Sequence, residues 1–97
     1  MEFVYNFNPQ KNRELIELRG ISFEEIISVL ESKGPLDVIK HPNNKKYSHQ
    51  KMYVVELHGY VYLVPFVEEK NEIFLKTIFP SRKATKKYFS KKGDNDE

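Results

Sequence analysis

The 97-residue chain contains no cysteine. It therefore offers no disulfide framework, no thiolate metal site and no thiol nucleophile. No apolar stretch approaches the length of a membrane span. The first residues, MEFVYNFNPQ, lack the basic stretch and following apolar run of a secretory signal. A small cytoplasmic domain is the expectation. Only four glycines are present, three of them at turns or helix ends, which leaves no glycine-rich phosphate loop. A GxSxG elbow is also missing, so a serine hydrolase has little support. His41, His49 and His58 are the only histidines. Their spacing fits no familiar zinc pattern, and neither a metal nor a cofactor is expected.

What is present is bulk and charge. Seven Phe and six Tyr supply enough apolar material for one core, and a chain of this length builds one domain. We expect that domain over residues 1–90, with a frayed charged tail at 91–97. The net charge of +2 hides an asymmetry. Residues 1–40 carry five basic and seven acidic groups, whereas residues 73–97 carry seven basic and three acidic ones. Lys76 to Lys92 contains seven cations and no acid. Such a run suits a polyanionic partner, nucleic acid or an acidic protein, or it is simply a solvated helix and tail.

The hydrophobic periods give an element order of β-α-α-β-β-β-β-α. FVYNF at 3–7 reads as a strand. Asn8-Pro9 starts a helix that ends at Gly20. Ser22 and Glu25 make a capping box for a second helix, in which Phe23, Ile26, Ile27 and Leu30 form one face. Short strands follow at 36–40, 51–57 and 60–67, with His58-Gly59 as a tight turn. Pro65 implies an edge or a bulge. Glu68–Glu72 reads as a turn, Ile73–Phe79 as the last strand, and Ser81–Phe89 as a short basic helix. The fold class is α+β: two N-terminal helices on a twisted, mainly antiparallel sheet, with a short basic C-terminal helix. The expected core is Leu15, Leu18, Phe23, Ile26, Ile27, Leu30, Val54, Val61, Leu63 and Ile78.

Cations, phenols and imidazoles concentrate in two places. The loop at 41–51 holds His41, Lys45, Lys46, Tyr47, His49 and Lys51. The C-terminal region holds Lys76, Arg82, Lys83, Lys86, Lys87 and Tyr88. An antiparallel meander can bring such segments to one rim. Metal-free RNA cleavage needs this inventory: a base for the 2′-OH, a cation for the phosphorane and an acid for the leaving 5′-oxygen. Arginine suits the second role, because its planar fork matches two phosphate oxygens. The alternative is that the cations only bind a phosphate backbone or face water.

Two motifs resemble a known family. FNPQKNRELIELRGISFEEI at 7–26 is similar to the opening of BrnT-family toxins of type II toxin–antitoxin systems, through Asn8-Pro9, Lys11, Arg19, Gly20-Ile21-Ser22 and Phe23-Glu24-Glu25. IFPSRKATKKYF at 78–89 resembles that family's closing segment, with Arg82, Ala84, Thr85 and Tyr88 in register. The resemblance implies a RelE-like fold, a metal-independent endoribonuclease that inhibits translation, and a ribbon-helix-helix antitoxin of the CopG or BrnA kind. Association with DNA would then be indirect, through that antitoxin.

Carried over by position, Arg82 is the strongest candidate, as stabiliser of the transition state. Lys51 stands about where relatives have an Arg opening a central strand. Lys51 and Lys76 would hold phosphate, and His49 or His41 would act as acid or base. Lys46, Lys83, Lys86, Lys87 and Tyr88 would bind the strand. The chain departs from the pattern at Thr77, where relatives carry an Arg, and at Pro80, where they carry a Ser. The acidic, His-rich central loop is replaced by Asn and Lys. The alternative function is a non-catalytic protein that engages a DNA-bound ribbon-helix-helix partner through its basic C-terminal region. Direct binding to duplex DNA ranks last, because the basic helix is short and terminal.

Overall fold

The computed structural model describes residues 3–41, 43, 45, 46 and 50–93, the last four by backbone alone. The elements run β1 (Val4–Phe7), α1 (Pro9–Arg19), α2 (Phe23–Ser32), β2 (Asp37–Lys40), β3 (Lys51–Leu57), β4 (Tyr60–Glu69), β5 (Glu72–Leu75), β6 (Phe79–Pro80) and α3 (Arg82–Gly93). They form an α+β fold on one mixed sheet of order β1-β5-β4-β3-β2, with β6 paired to β4. Every pairing is antiparallel except β1 with β5.

Local chemistry sets both N-terminal helices. Asn8 Oδ1 accepts the Gln10 and Lys11 N–H groups, which α1 leaves without helical partners, and Pro9 occupies the first turn. Gly20 ends the helix at φ 69°, a left-handed conformation that only glycine adopts at little cost. The Ser22–Glu25 capping box forms in both directions.

The two helices are joined by one buried polar side chain. Asn12 Nδ2 donates to Glu24 Oε1 at 2.9 Å, and Asn12 Oδ1 accepts the Phe23 N–H at 2.7 Å. Asn12→Ala would leave the Phe23 N–H buried without a partner. We expect a loss of about 1–3 kcal/mol in urea unfolding. A change within error would show that α1 is not tied to α2 through this residue.

Residues directly opposite each other on paired strands share a face. Tyr53, Val55, Leu57, Val64, Phe66, Ile73 and Leu75 therefore lie on one face, where they form a single core with Leu15, Ile21, Phe23, Ile26 and Leu30 of the N-terminal half. Met52, Val54 and Val61 are equally buried but point the other way. Their cover is α3. Asp37 pairs with Val54, so its side chain shares that second face, and the Tyr88 hydroxyl donates to Asp37 Oδ2 at 3.1 Å. The helix starts beside Val61, where Thr85 Oγ1 accepts the Val61 N–H. It thus crosses from β4 to β2 on the face opposite α1 and α2.

The structure corrects several expectations. Leu18 is not in the core: it is 78% exposed on the outer side of α1. Val54 and Val61 are buried as expected, on the face opposite the N-terminal helices. Leu63 and Ile27 are only half-buried. The single last strand at 73–79 is two strands, β5 and β6, separated by residues 76–78. Pro65 explains the gap. Its carbonyl accepts the Lys76 N–H at 2.8 Å, so its backbone faces that segment, and its missing N–H ends the β5 ladder there. The proline therefore sits within a central strand, opposite an interruption. The expected turn at 68–72 tightens to Lys70-Asn71, with Lys70 at φ 58°. The last helix begins at Arg82 and its backbone continues to Gly93, into the segment expected to be frayed.

Candidate functional site

The outer face of α3 gathers four exposed cations. Ala84, Thr85, Tyr88 and Phe89 face the sheet and are half-buried, whereas Arg82, Lys83, Lys86 and Lys87 are exposed. Helical spacing dictates this division, because residues four apart share a side. Ser81 and Thr85 fix the start of the helix: Ser81 Oγ accepts the Ala84 N–H, and the Thr85 hydroxyl donates to the Ser81 carbonyl. None of the four cations pairs with a carboxylate of any described residue, and the one ion pair found among those residues is His58 Nε2 with Glu25 Oε2 at 3.2 Å.

That arrangement works against stability. Like charges four residues apart repel. Arg82 and Lys83 also occupy the first helical turn, which carries no acid and is the positive end of the helix dipole. An anion lying along this face would relieve both conflicts. A structural role for Arg82 would pair it with Glu24 or Glu25. Those carboxylates instead serve Asn12, Ser22 and His58, and neither pairs with Arg82.

The remaining candidates are dispersed. Lys51 opens β3 on the face of the main core, opposite Phe66. Ser81, the neighbour of Arg82, donates its N–H to Val61, five residues back along β4 from Phe66. At about 3.4 Å per strand residue the two levels are about 17 Å apart, and the two side chains belong to opposite faces. Lys51 and Arg82 therefore do not share the expected rim. Lys76 reaches over the Phe74 ring, with Nζ 5.3 Å from its centroid, on the second face. Tyr88 is half-buried, with its hydroxyl at the exposed edge of the sheet. It anchors α3 to Asp37, and Lys87 Nζ lies 5.5 Å from its ring centroid.

His41 stays beside the start of β3, donating its N–H to the Gln50 carbonyl, and its Nδ1 accepts the Asn43 N–H at 3.1 Å. Lys46 lies in the same loop, exposed. His49 lies outside the described residues. Among the described residues no three His, Asp or Glu side chains gather into a possible metal site, and no helix is long and apolar enough to cross a membrane.

Residues that no motif signalled stand near Lys51. An open hollow of about 250 Å³ is lined by Lys51, Phe66, Glu68 and Lys70. Behind it, Tyr53 stacks on Phe66 with ring centroids 4.0 Å apart. Burial raises the Tyr53 phenol far above its ordinary range, and the Tyr5 phenol and Glu68 push it further. Tyr5 is raised as well, by burial first and then by Glu31. Neither phenol is a base at neutral pH. A tyrosine in the unfolded chain loses its proton near pH 10, and these two keep theirs when folded. The unfolded state then holds fewer protons, so stability falls as pH rises above about 10. Denaturant midpoints between pH 8 and 11 should show this decline, with a shallower slope for Tyr53→Phe. Equal slopes for both proteins would remove Tyr53 as its source.

Comparison with protein-family models, curated proteins and solved structures finds no match to this chain.

Proposed function

We propose that this chain is an RNA-directed toxin of a type II toxin–antitoxin system, a metal-independent endoribonuclease acting in the cytoplasm to inhibit translation. A ribbon-helix-helix antitoxin would neutralise it. The observation that carries the reading is the outer face of α3: Arg82, Lys83, Lys86 and Lys87 are exposed and unpaired with any described carboxylate, and Arg82 and Lys83 are placed against the helix dipole. The resemblance of residues 7–26 and 78–89 to BrnT-family toxins names the class of polyanion. In this reading the strand lies along α3 and Arg82 meets the reacting phosphate.

Induced expression tests the proposal directly. Growth arrest is expected, together with cleavage of mRNA by the purified protein in the presence of a chelator. Intact RNA and normal growth would count against it. A specific observation favours a second reading, a non-catalytic protein that engages a DNA-bound partner through α3: Lys51 and Arg82 lie on opposite faces, so one phosphate cannot meet both. RNA bound but not cut by the full-length protein would select that alternative.

The antitoxin should cover the cationic face of α3 and bind with a marked salt dependence, because exposed charges at an interface mainly control association. Affinity that is unchanged between low and high salt would contradict this placement.

A further inference from the structure

The corner of the sheet around Lys51 holds a conflict of its own. Lys40 and Lys51 are directly opposite each other on β2 and β3, so their side chains emerge on the same face. Like charges directly opposite on paired strands are destabilising. Neither ammonium has an ion pair with any described residue. Lys70, held in a left-handed turn conformation at φ 58° between β4 and β5, brings a third ammonium to the hollow that Lys51 lines. Glu68 is the single acid in that lining, which leaves the lining one charge positive, and Lys40 beside Lys51 adds a second. The floor is rigid, because Phe66 is buried and stacked on Tyr53.

We infer that Lys40, Lys51 and Lys70 form a second phosphate-binding site, separate from α3 and on the opposite face of the sheet. Two ammoniums on one open hollow, Lys51 and Lys70, with Lys40 directly opposite Lys51 at its side, suit a phosphate group, which accepts several charge-assisted hydrogen bonds at once. Glu68, at the side of the same hollow, would accept a hydroxyl carried by the ligand, as on a ribose. Two sources share this chemistry, a phosphate of an RNA strand and a phosphorylated small molecule. Only the assignment to a strand rests on the RNA reading given above. The phosphate site does not.

Thermal melts of the full chain test it, in chloride and in phosphate buffers matched for ionic strength. Ligand that binds only the folded state raises its melting temperature. The wild type should melt higher in phosphate. Lys40→Gln/Lys70→Gln should melt higher than wild type in chloride, through relief of repulsion, and gain little from phosphate. An equal phosphate shift in both proteins would overturn the inference, because general salting effects act on any folded chain. So would a double variant that is less stable in chloride.

Adenosine 5′-monophosphate and an oligoribonucleotide without terminal phosphates separate the sources. Binding of the first alone assigns the site to a phosphate monoester, and binding of the second assigns it to a strand. For a strand, the salt slope of the wild type should exceed that of the double variant by about 0.7 for each phosphate that the variant no longer neutralises. If neither probe distinguishes the wild type from the variant, the site is refuted. If α3 variants alone abolish RNA binding while the phosphate shift persists, only the RNA assignment falls.

Discussion

Phe23→Ala is expected to cost about 3–5 kcal/mol of stability, the largest effect of any single core truncation in this chain. Phe23 has no exposed surface, and its ring stacks on Phe7 at 4.9 Å between centroids. It is also the first residue of α2, and its N–H is held by Asn12. The truncation therefore opens a cavity at the point where α1, α2 and β1 meet. Domains of this size hold only about 5–15 kcal/mol in total. At roughly 4–8 °C for each kcal/mol, the melting temperature should drop by more than about 10 °C. Urea unfolding measures the loss. Ile27→Ala is the internal comparison, because Ile27 only borders the core and is half-buried. Were Ile27 the costlier of the two, the packing described for α2 would be wrong.

Arg82→Ala is expected to leave folding intact and to remove two to three decades of RNA cleavage. Losing one well-placed cation at a developing phosphorane costs about 3–4 kcal/mol of transition-state stabilisation. Arg82 is exposed at the first position of α3 and pairs with no described carboxylate. Its removal also relieves repulsion from Lys86 one turn on. The melting temperature should therefore hold or rise slightly, and affinity for an antitoxin should weaken no more than for any other single α3 cation. A variant that melts lower yet cleaves RNA at the wild-type rate would take Arg82 out of the site. Arg82→Lys adds a discriminating control: it keeps the charge but not the planar fork, so partial activity identifies a role for the charge alone.

The local elements were legible in the sequence because their causes are local. Asn8-Pro9, Gly20 and the Ser22–Glu25 box act over three or four residues, and both N-terminal helices begin, and α1 ends, where those residues place them. The strand at 51–57 and the His58-Gly59 turn were equally readable, since alternation and a left-handed turn pair need no distant partner. The basic run of α3 was readable as well, although Tyr88, expected among its binding groups, is turned by the helix toward Asp37.

Tertiary structure decided the rest. The parallel partnership of β1 with β5 joins segments almost seventy residues apart, and nothing in FVYNF specifies it. Leu18 fits the apolar pattern as well as Leu15 does, but α1 meets its neighbours through Leu15 and Asn12 alone. Pro65 announced an interruption without saying that its backbone would face residues 76–78. The placement of the cations depends most on assembly. Lys51 and Arg82 were each visible as candidates, whereas their separation follows from strand parity and from α3 crossing the second face. Lys40 and Lys70 gave no signal at all, because only the β2–β3 register and the Lys70-Asn71 turn bring them to Lys51. Sequence thus determined which groups are available for chemistry here. Long-range pairing determined which of them can meet one phosphate.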